Sequence, residues 1–204
     1  MARYTGPRSK VSRRFGTPIF GSSKALDRKA YPPGQHGQRG RRKISEYALA
    51  LAEKQKLRFI YGIMERQFRR YFRDAISKRG VTGDILMQIL ETRLDNVVFR
   101  LGLATSRRMA RQMVTHGHVV VDGRRVKIAS YGVREGQVIE VADKARARQM
   151  ATRNLESAKL SPVPDWLSLD AAGFKGTVAR MPTRDDIQPV VNEQLVVELY
   201  SRRV

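Results

Sequence analysis

The sequence predicts an α+β fold: a helical body joined to a mixed domain of a few helices packed on a small antiparallel sheet, preceded by an extended basic segment. Three observations carry this. Apolar residues recur at helical spacing between residues 46 and 116. Asp122-Gly123 stands between Val119-Val120-Val121 and residues 124–128, and Asp-Gly between β-branched runs is the strongest short hairpin signal. Residues 1–45 hold 12 Lys/Arg and a single acid, Asp27, among repeated Gly and Pro. The expected divisions are 1–45 for the basic segment, 46–93 with 188–204 for the helical body, and 94–187 for the mixed domain, whose core motif spans 93–157.

Residues 1–45 read as largely irregular, punctuated by Gly6-Pro7, Gly21-Ser22-Ser23 and Pro32-Pro33-Gly34. A free segment this basic cannot bury enough apolar surface to offset its chain entropy. Yet it holds Phe15, Ile19, Phe20, Leu26 and Tyr31, which a linker does not need, so it is expected to order on an anionic surface. Ser45 suits a helix N-cap, with Glu46 favourable in the first turn, and EYALALAEKQKLRFIYG continues that helix to about Gly62. A second helix fits Ile63 to about Lys78 and ends at Gly80. Thr82 caps a third over about 83–92, and residues 94–102 form a short helix that Gly102 can stop. Thr105 or Ser106 caps the next helix, which Gly117 ends. After the hairpin, a turn at Glu135-Gly136 leads into a strand over 137–141, and residues 143–154 are helical. Beyond Pro162 and Pro164, the short apolar pieces Trp166-Leu167, Phe174 and Val178 suggest further antiparallel strands of weak register. NEQLVVELYS at the end reads as a helix with Leu195, Val196, Leu199 and Tyr200 inward.

The net charge is +21, and a soluble protein so unbalanced repels itself unless an anionic partner compensates. The charge is uneven. Residues 93–127 carry 8 Lys/Arg and 2 acids, whereas residues 128–204 carry 11 and 10. With no cysteine, disulfides and thiolate zinc sites are excluded, which fits a cytoplasmic location. MARYTGPRSKVSRRFG has no apolar core of signal-peptide length, and no run of about 18 apolar residues occurs.

Two helices place arginine on one face. On the helix from Ile63, Met64, Phe68, Tyr71, Phe72, Ala75 and Ile76 share one side and Arg66, Arg69, Arg70 and Arg73 the other. On the helix over 106–116, Arg107, Arg108 and Arg111 fall within about 100° of arc, opposite Met109, Ala110 and Met113. Arginine suits phosphate because its planar fork offers two donors and stays charged. Gly117 is expected to let a nucleic-acid backbone approach, and His118 and Arg124 to extend the positive rim. An A-form helix is met through phosphate, sugar and shape, which such a face fits. A membrane-surface helix would instead set Trp, Phe or Leu opposite the basic side.

RLDNVVFRLGLATSRRMARQMVTHGHVVVDGRRV (93–126) resembles the RNA-binding domain named after bacterial small-subunit ribosomal protein four. That module also occurs in pseudouridine synthases, tyrosyl-tRNA synthetases and a heat-shock RNA-binding protein. The flanks extend the likeness to essentially the whole chain: MARYTGP at the start, PPGQHGQRGRR at 32–42, EKQKLRFIYGIMERQFRRYF at 53–72 and NEQLVVELYS at 192–201. The resemblance implies a structural constituent of the small ribosomal subunit that binds the 5′ domain of small-subunit rRNA early and nucleates assembly. It implies a position near the mRNA entrance beside small-subunit proteins three and five, an effect on decoding accuracy with protein five, and a cytoplasmic location. It implies no membrane and no homo-oligomer in the ribosome. Some members also repress their own operon by binding its mRNA. Carried onto matching positions, the resemblance sets Arg3, Arg13, Arg14, Lys54, Lys56, Arg66, Arg69, Arg70, Arg73, Arg107, Arg108, Arg111, Gly117, His118 and Arg124 toward rRNA. Arg41, Arg42 and Lys43 would line the mRNA path, and Leu195, Glu198 and Tyr200 a protein interface. Some relatives have a four-cysteine zinc knuckle in this first segment; here there is none, so no metal and no cofactor is expected.

An enzyme lacks parts. His36, His116 and His118 are the only histidines, no GxSxG occurs, and GQHGQRG (34–40) has neither a preceding strand nor a GxGxxG. Asp185-Asp186 reads as a helix start or rim feature. An rRNA- or tRNA-modifying enzyme built around this module would need a separate catalytic domain, for which no stretch remains. Changing Arg107 and Arg111 to Ala is expected to weaken binding on the order of a hundredfold or more with the fold intact, at about 1.5–3 kcal/mol for each charge-assisted contact.

Overall fold

The computed structural model describes residues 3–21, 23–38, 44–158, 162–187 and 191–201. The described residues form an α+β structure that packs as two units, Met1–Gly83 with Pro189–Val204, and Asp84–Gln188.

In the first unit, residues expected to be irregular contain two short helices, α1 (Arg8–Phe15) and α2 (Lys24–Arg28). The cause is aromatic packing. Tyr4, Phe15 and Phe20 gather on Phe59, with ring centroids 5.0, 6.2 and 6.2 Å from it. Arg13 completes the fastening: its guanidinium donates to the carbonyls of Lys29, Tyr31 and Pro32 and lies over the Tyr31 ring. Helix α3 (Glu46–Ile60) starts at Ser45, whose hydroxyl accepts from the Ala48 amide. Helix α4 (Glu65–Ile76) buries Phe68, Phe72 and Ala75. The last helix of the chain, α9 (Glu193–Ser201, named in chain order), stacks Tyr200 on both phenylalanines at 5.9 and 4.7 Å.

The second unit begins at Asp84, within α5 (Thr82–Glu91) and ahead of the start expected at residue 94. Thr82 is the first helical residue rather than the cap. Gln88 on α5 donates to the Pro182 carbonyl, and Glu91 is buried against Arg100, which ties the helix to this unit. Then come α6 (Leu94–Arg100) and α7 (Arg107–Thr115), capped by Ser106, whose hydroxyl accepts from the Met109 amide. The strands are β1 (Val119–Val121), β2 (Arg124–Arg125), β3 (Val138–Val141), β4 (Leu167–Asp170) and β5 (Lys175–Val178), with α8 (Ala145–Ala158) after β3. They make one antiparallel sheet in the order β2-β1-β3-β5-β4. The core joins Leu94, Val97, Val98 and Leu101 of α6 to Ala110, Met113 and Val114 of α7 and to Val119, Val121 and Ile139 of the sheet. Gly176 in β5 is there because Leu101 fills its face: a Cβ would come within 2.4 Å of the Leu101 Cδ1.

Candidate nucleic-acid interface

Helix α4 presents the cleanest basic surface. Arg66, Arg69, Arg70 and Arg73 are all exposed, while Phe68, Phe72 and Ala75 beneath them are almost fully buried. The apolar side fixes the helix and leaves the guanidinium groups toward solvent. One acid intrudes: Arg69 reaches Glu65 at 3.5 Å, an exposed i,i+4 pair of small energetic weight. Among the described residues, Arg66, Arg70 and Arg73 have no ion pair.

Lys54 and Lys56, expected toward rRNA, turn the other way. Lys54 is 4% exposed, bonds both oxygens of Glu65 at 3.0 and 2.9 Å and lies over the Tyr200 ring. Glu65 also accepts from the Tyr200 hydroxyl at 2.8 Å. Burial alone would raise the Glu65 pKa, but the bonds from Lys54 and Tyr200 and the charges of Lys54 and Arg58 bring it below its ordinary value. Burial, with Glu65 as acceptor, raises that of Tyr200. Lys56 is largely covered and sits 3.9 Å from Glu53.

The arginines of α7 differ from one another. Arg108 is exposed. Arg111 places Nε and Nη2 on Asp95 at 3.0 and 2.8 Å, and Arg93 holds the same carboxylate from the other side. Asp95 and Arg93 are buried, so these bonds stay dry. Arg107 is half-buried, donates Nε to Asn96 Oδ1 at 2.7 Å and lies over the Phe99 ring. Asn96 in turn donates to Glu91, which also receives Arg100. The arc that looks like three outward arginines is one exposed arginine beside two that brace α7 on α6. Helical periodicity cannot show this, because the acceptors belong to a neighbouring helix.

Gly117 and His118 also part from expectation. Gly117 is buried with φ +70°, a left-handed turn that suits glycine, and a Cβ there would come within 2.9 Å of Arg125 Cδ. The side chains of Arg125 and Lys127 lie over this glycine, where the sequence suggested room for a nucleic-acid backbone. His118 is half-buried. Burial first, then His116, Lys144, Arg146 and Arg125 nearby, push its pKa down, which favours the neutral imidazole over a further positive charge. Beside the expected Arg124, sequence reading missed exposed Arg125, Lys127, Lys144 and Arg146, which come from the hairpin and the start of α8. Their clustering depends on the β1–β3 pairing, which spacing alone does not reveal.

In the N-terminal segment Arg3 and Arg14 are exposed, whereas Arg13 is committed to backbone carbonyls. Arg41, Arg42 and Lys43 lie outside the described residues. Leu195 and Glu198 line a groove of about 460 Å³ with Glu46, Tyr47 and Leu49, but Tyr200 is core, stacked on Phe72. Asp186 is a local brace: it pairs with Arg180 and accepts from the Thr183 amide, which draws its carboxyl well below the usual range. Among the described residues, no group of three or more His, Cys, Asp and Glu could hold a metal, and no helix is long and apolar enough to cross a membrane.

Comparison with known proteins gives two family matches. The model described as Ribosomal protein S4/S9 N-terminal domain matches residues 3–91, and the S4 domain matches residues 92–139. The chain is 57% identical over 203 residues to small ribosomal subunit protein uS4 of Akkermansia muciniphila. It is 60% identical over 202 residues to that of Opitutus terrae and 52% over 209 residues to that of Thermus thermophilus. Each similarity covers 99% of this chain and 100% of the relative.

Proposed function

The chain belongs to the family of small ribosomal subunit protein uS4, and from that premise we propose how it engages its RNA. As a member it is a structural, non-catalytic constituent of the small ribosomal subunit and binds rRNA. The partner we infer is the 5′ domain of small-subunit rRNA, bound early so that assembly is nucleated there. The exposed arginine row of α4 carries this reading, supported by Arg108, Arg124, Arg3 and Arg14. Each guanidinium that meets a phosphate releases condensed counterions, and the fixed spacing of the row favours a folded RNA over a loose strand.

The groove between α3 and α9 favours a protein neighbour. Exposed Tyr47 and Leu49 supply apolar area, and Glu46 and Glu198 give it acidic edges that repel RNA and suit a basic protein such as small-subunit protein five. Proximity to protein three and to mRNA at the entrance of the subunit, and the effect on decoding accuracy, belong to the same proposal.

Filter binding to small-subunit rRNA across a salt series tests it. Affinity should fall steeply between 50 and 200 mM, as expected when many phosphates are contacted. Arg66→Gln with Arg70→Gln and Arg73→Gln should lower the log–log salt slope by roughly 2. A flat salt response of the unaltered chain, or no preference for small-subunit rRNA over an unrelated folded RNA, would overturn the reading.

A further inference from the structure

We propose that the outward face of the sheet in the second unit docks an extended, lysine- or arginine-bearing segment of a neighbouring protein of the small subunit. The pairing register fixes what this face shows. Val119, Val121, Ile139 and Val178 are buried in the core, so the residues that alternate with them point outward. Two cross-strand rows result. One runs Val120, Glu140, Lys175, Asp170, and the other Val138, Thr177, Ser168, with Asp122 bonded to the Val138 amide. Residues of both rows, with Asp122, line a concavity of about 500 Å³, and Arg125 ends the first row outside it.

The charge of this face is opposite to that of the whole. The concavity holds three carboxylates, Asp122, Glu140 and Asp170, and one ammonium, Lys175, in a chain of net charge +21. Lys175 lies 3.1 Å from Glu140 and cannot also offset the other two. An RNA backbone laid here would meet like charge, so the basic surfaces and this one call for different partners. The carboxylates do not converge on a cation either: they are spread from the β1–β2 turn to β4, and among the described residues no group of three could hold a metal. Their places are set before any partner arrives. Asp122 accepts from the Val138 amide and the Gln137 side chain, and Asp170 from the Ala172 and Gly173 amides. Little side-chain freedom therefore remains to be lost on binding.

The surface between the acids suits a chain rather than a base. Val120, Val138, Thr177 and Ser168 are small, and neither row contains an aromatic ring. Crossing from β1 to β4 covers about 14 Å, three inter-strand spacings, which matches residues i to i+4 of an extended segment. Side chains at i, i+2 and i+4 of that segment face the sheet together. Lysine or arginine stems lie on Val120, Val138 and Thr177 while their heads reach the carboxylates. The groove between α3 and α9 belongs to the first unit, so this is a separate protein contact. It rests on membership of the small subunit and not on which part of the rRNA the chain binds.

The absence of cysteine allows a site-specific test. A benzophenone is attached to Ser168→Cys, an exposed position in the second row, and the chain is assembled with small-subunit rRNA and the purified small-subunit proteins. The particles are irradiated and the crosslinked residue is identified by mass spectrometry. The expected product is a crosslink to one protein segment with Lys or Arg at alternate positions. Asp122→Asn, Glu140→Gln and Asp170→Asn together keep the hydrogen-bonding shape and should lower its yield about fivefold. Lys175→Gln leaves every carboxylate in place, removes the opposing charge and should raise the yield about twofold, and it decides the matter if the triple variant does not fold. A crosslink to rRNA alone, to a second copy of this chain or to a segment without basic residues would overturn the proposal. So would no crosslink, or a yield that either folded variant fails to move in the stated direction. Filter binding of the same derivatives to small-subunit rRNA should stay unchanged, which separates failure of this contact from failure of the rRNA reading.

Discussion

Asp95 illustrates how one buried carboxylate redistributes the roles of its neighbours. It accepts from Arg93 and Arg111, so Arg111 is a strut between α6 and α7. Arg111→Ala should therefore cost about 1.5–3 kcal/mol in urea unfolding, since Arg93 still satisfies the carboxylate. Asp95→Ala should cost about 3–5 kcal/mol, because it removes the carboxylate that buried Arg93 bonds through Nε and Nη2. A variant pair with native unfolding midpoints but lost rRNA affinity would return Arg111 to the interface. These bonds give Arg107 and Arg111 a share in the fold that the expectation for their double change leaves out. The sequence shows that Arg107, Arg108 and Arg111 share an arc, and that much is right. What it cannot show is the acceptor 16 residues earlier, since periodicity describes a helix and not what the helix is packed against. Lys54 repeats the lesson from the other side: a lysine amid polar residues looks solvated until Glu65 and Tyr200 close over it.

Elements with their own local signals were legible. Ser45 and Ser106 cap α3 and α7 as their side chains suggest, and Asp122-Gly123 turns the hairpin. Helices α1 and α2 were not. Pro7 gives α1 no side-chain cap, its first turn has no acid, and α2 is five residues long. The order of α1 comes from Phe59 on α3, on which Phe15 packs, and Arg13 of α1 in turn holds the chain just after α2, both long-range causes. Phe59→Ala should therefore abolish amide-exchange protection over residues 8–15 while leaving residues 84–158 protected as before. Protection that survives would mean that α1 is stable by itself. In the sheet, Gly176→Ala should cost about 1–3 kcal/mol by driving a methyl into Leu101, with little effect on rRNA affinity.

The two units answer to acid in different windows. Glu65 couples Lys54 on α3 and Tyr200 on α9 within the first unit, and its pKa lies below the unfolded value near 4.5. A depressed carboxylate contributes stability that is present above the unfolded pKa and lost as pH falls through the folded one, so the first unit weakens below about pH 4.5. His118 in the second unit is depressed below its ordinary 6.5, so the unfolded chain takes up the proton first. Stability of that unit should therefore decline from about pH 6.5 downward, well before Glu65 titrates. Trp166, the single tryptophan, is buried in the second unit and reports on it alone. Urea unfolding followed by Trp166 fluorescence should show a lower midpoint at pH 5.5 than at pH 7.5. General charge repulsion also grows in acid, so the decisive comparison is His118→Gln, which cannot titrate and should flatten the difference. An equal midpoint loss in that variant would assign the effect to net charge and leave His118 without a part in it.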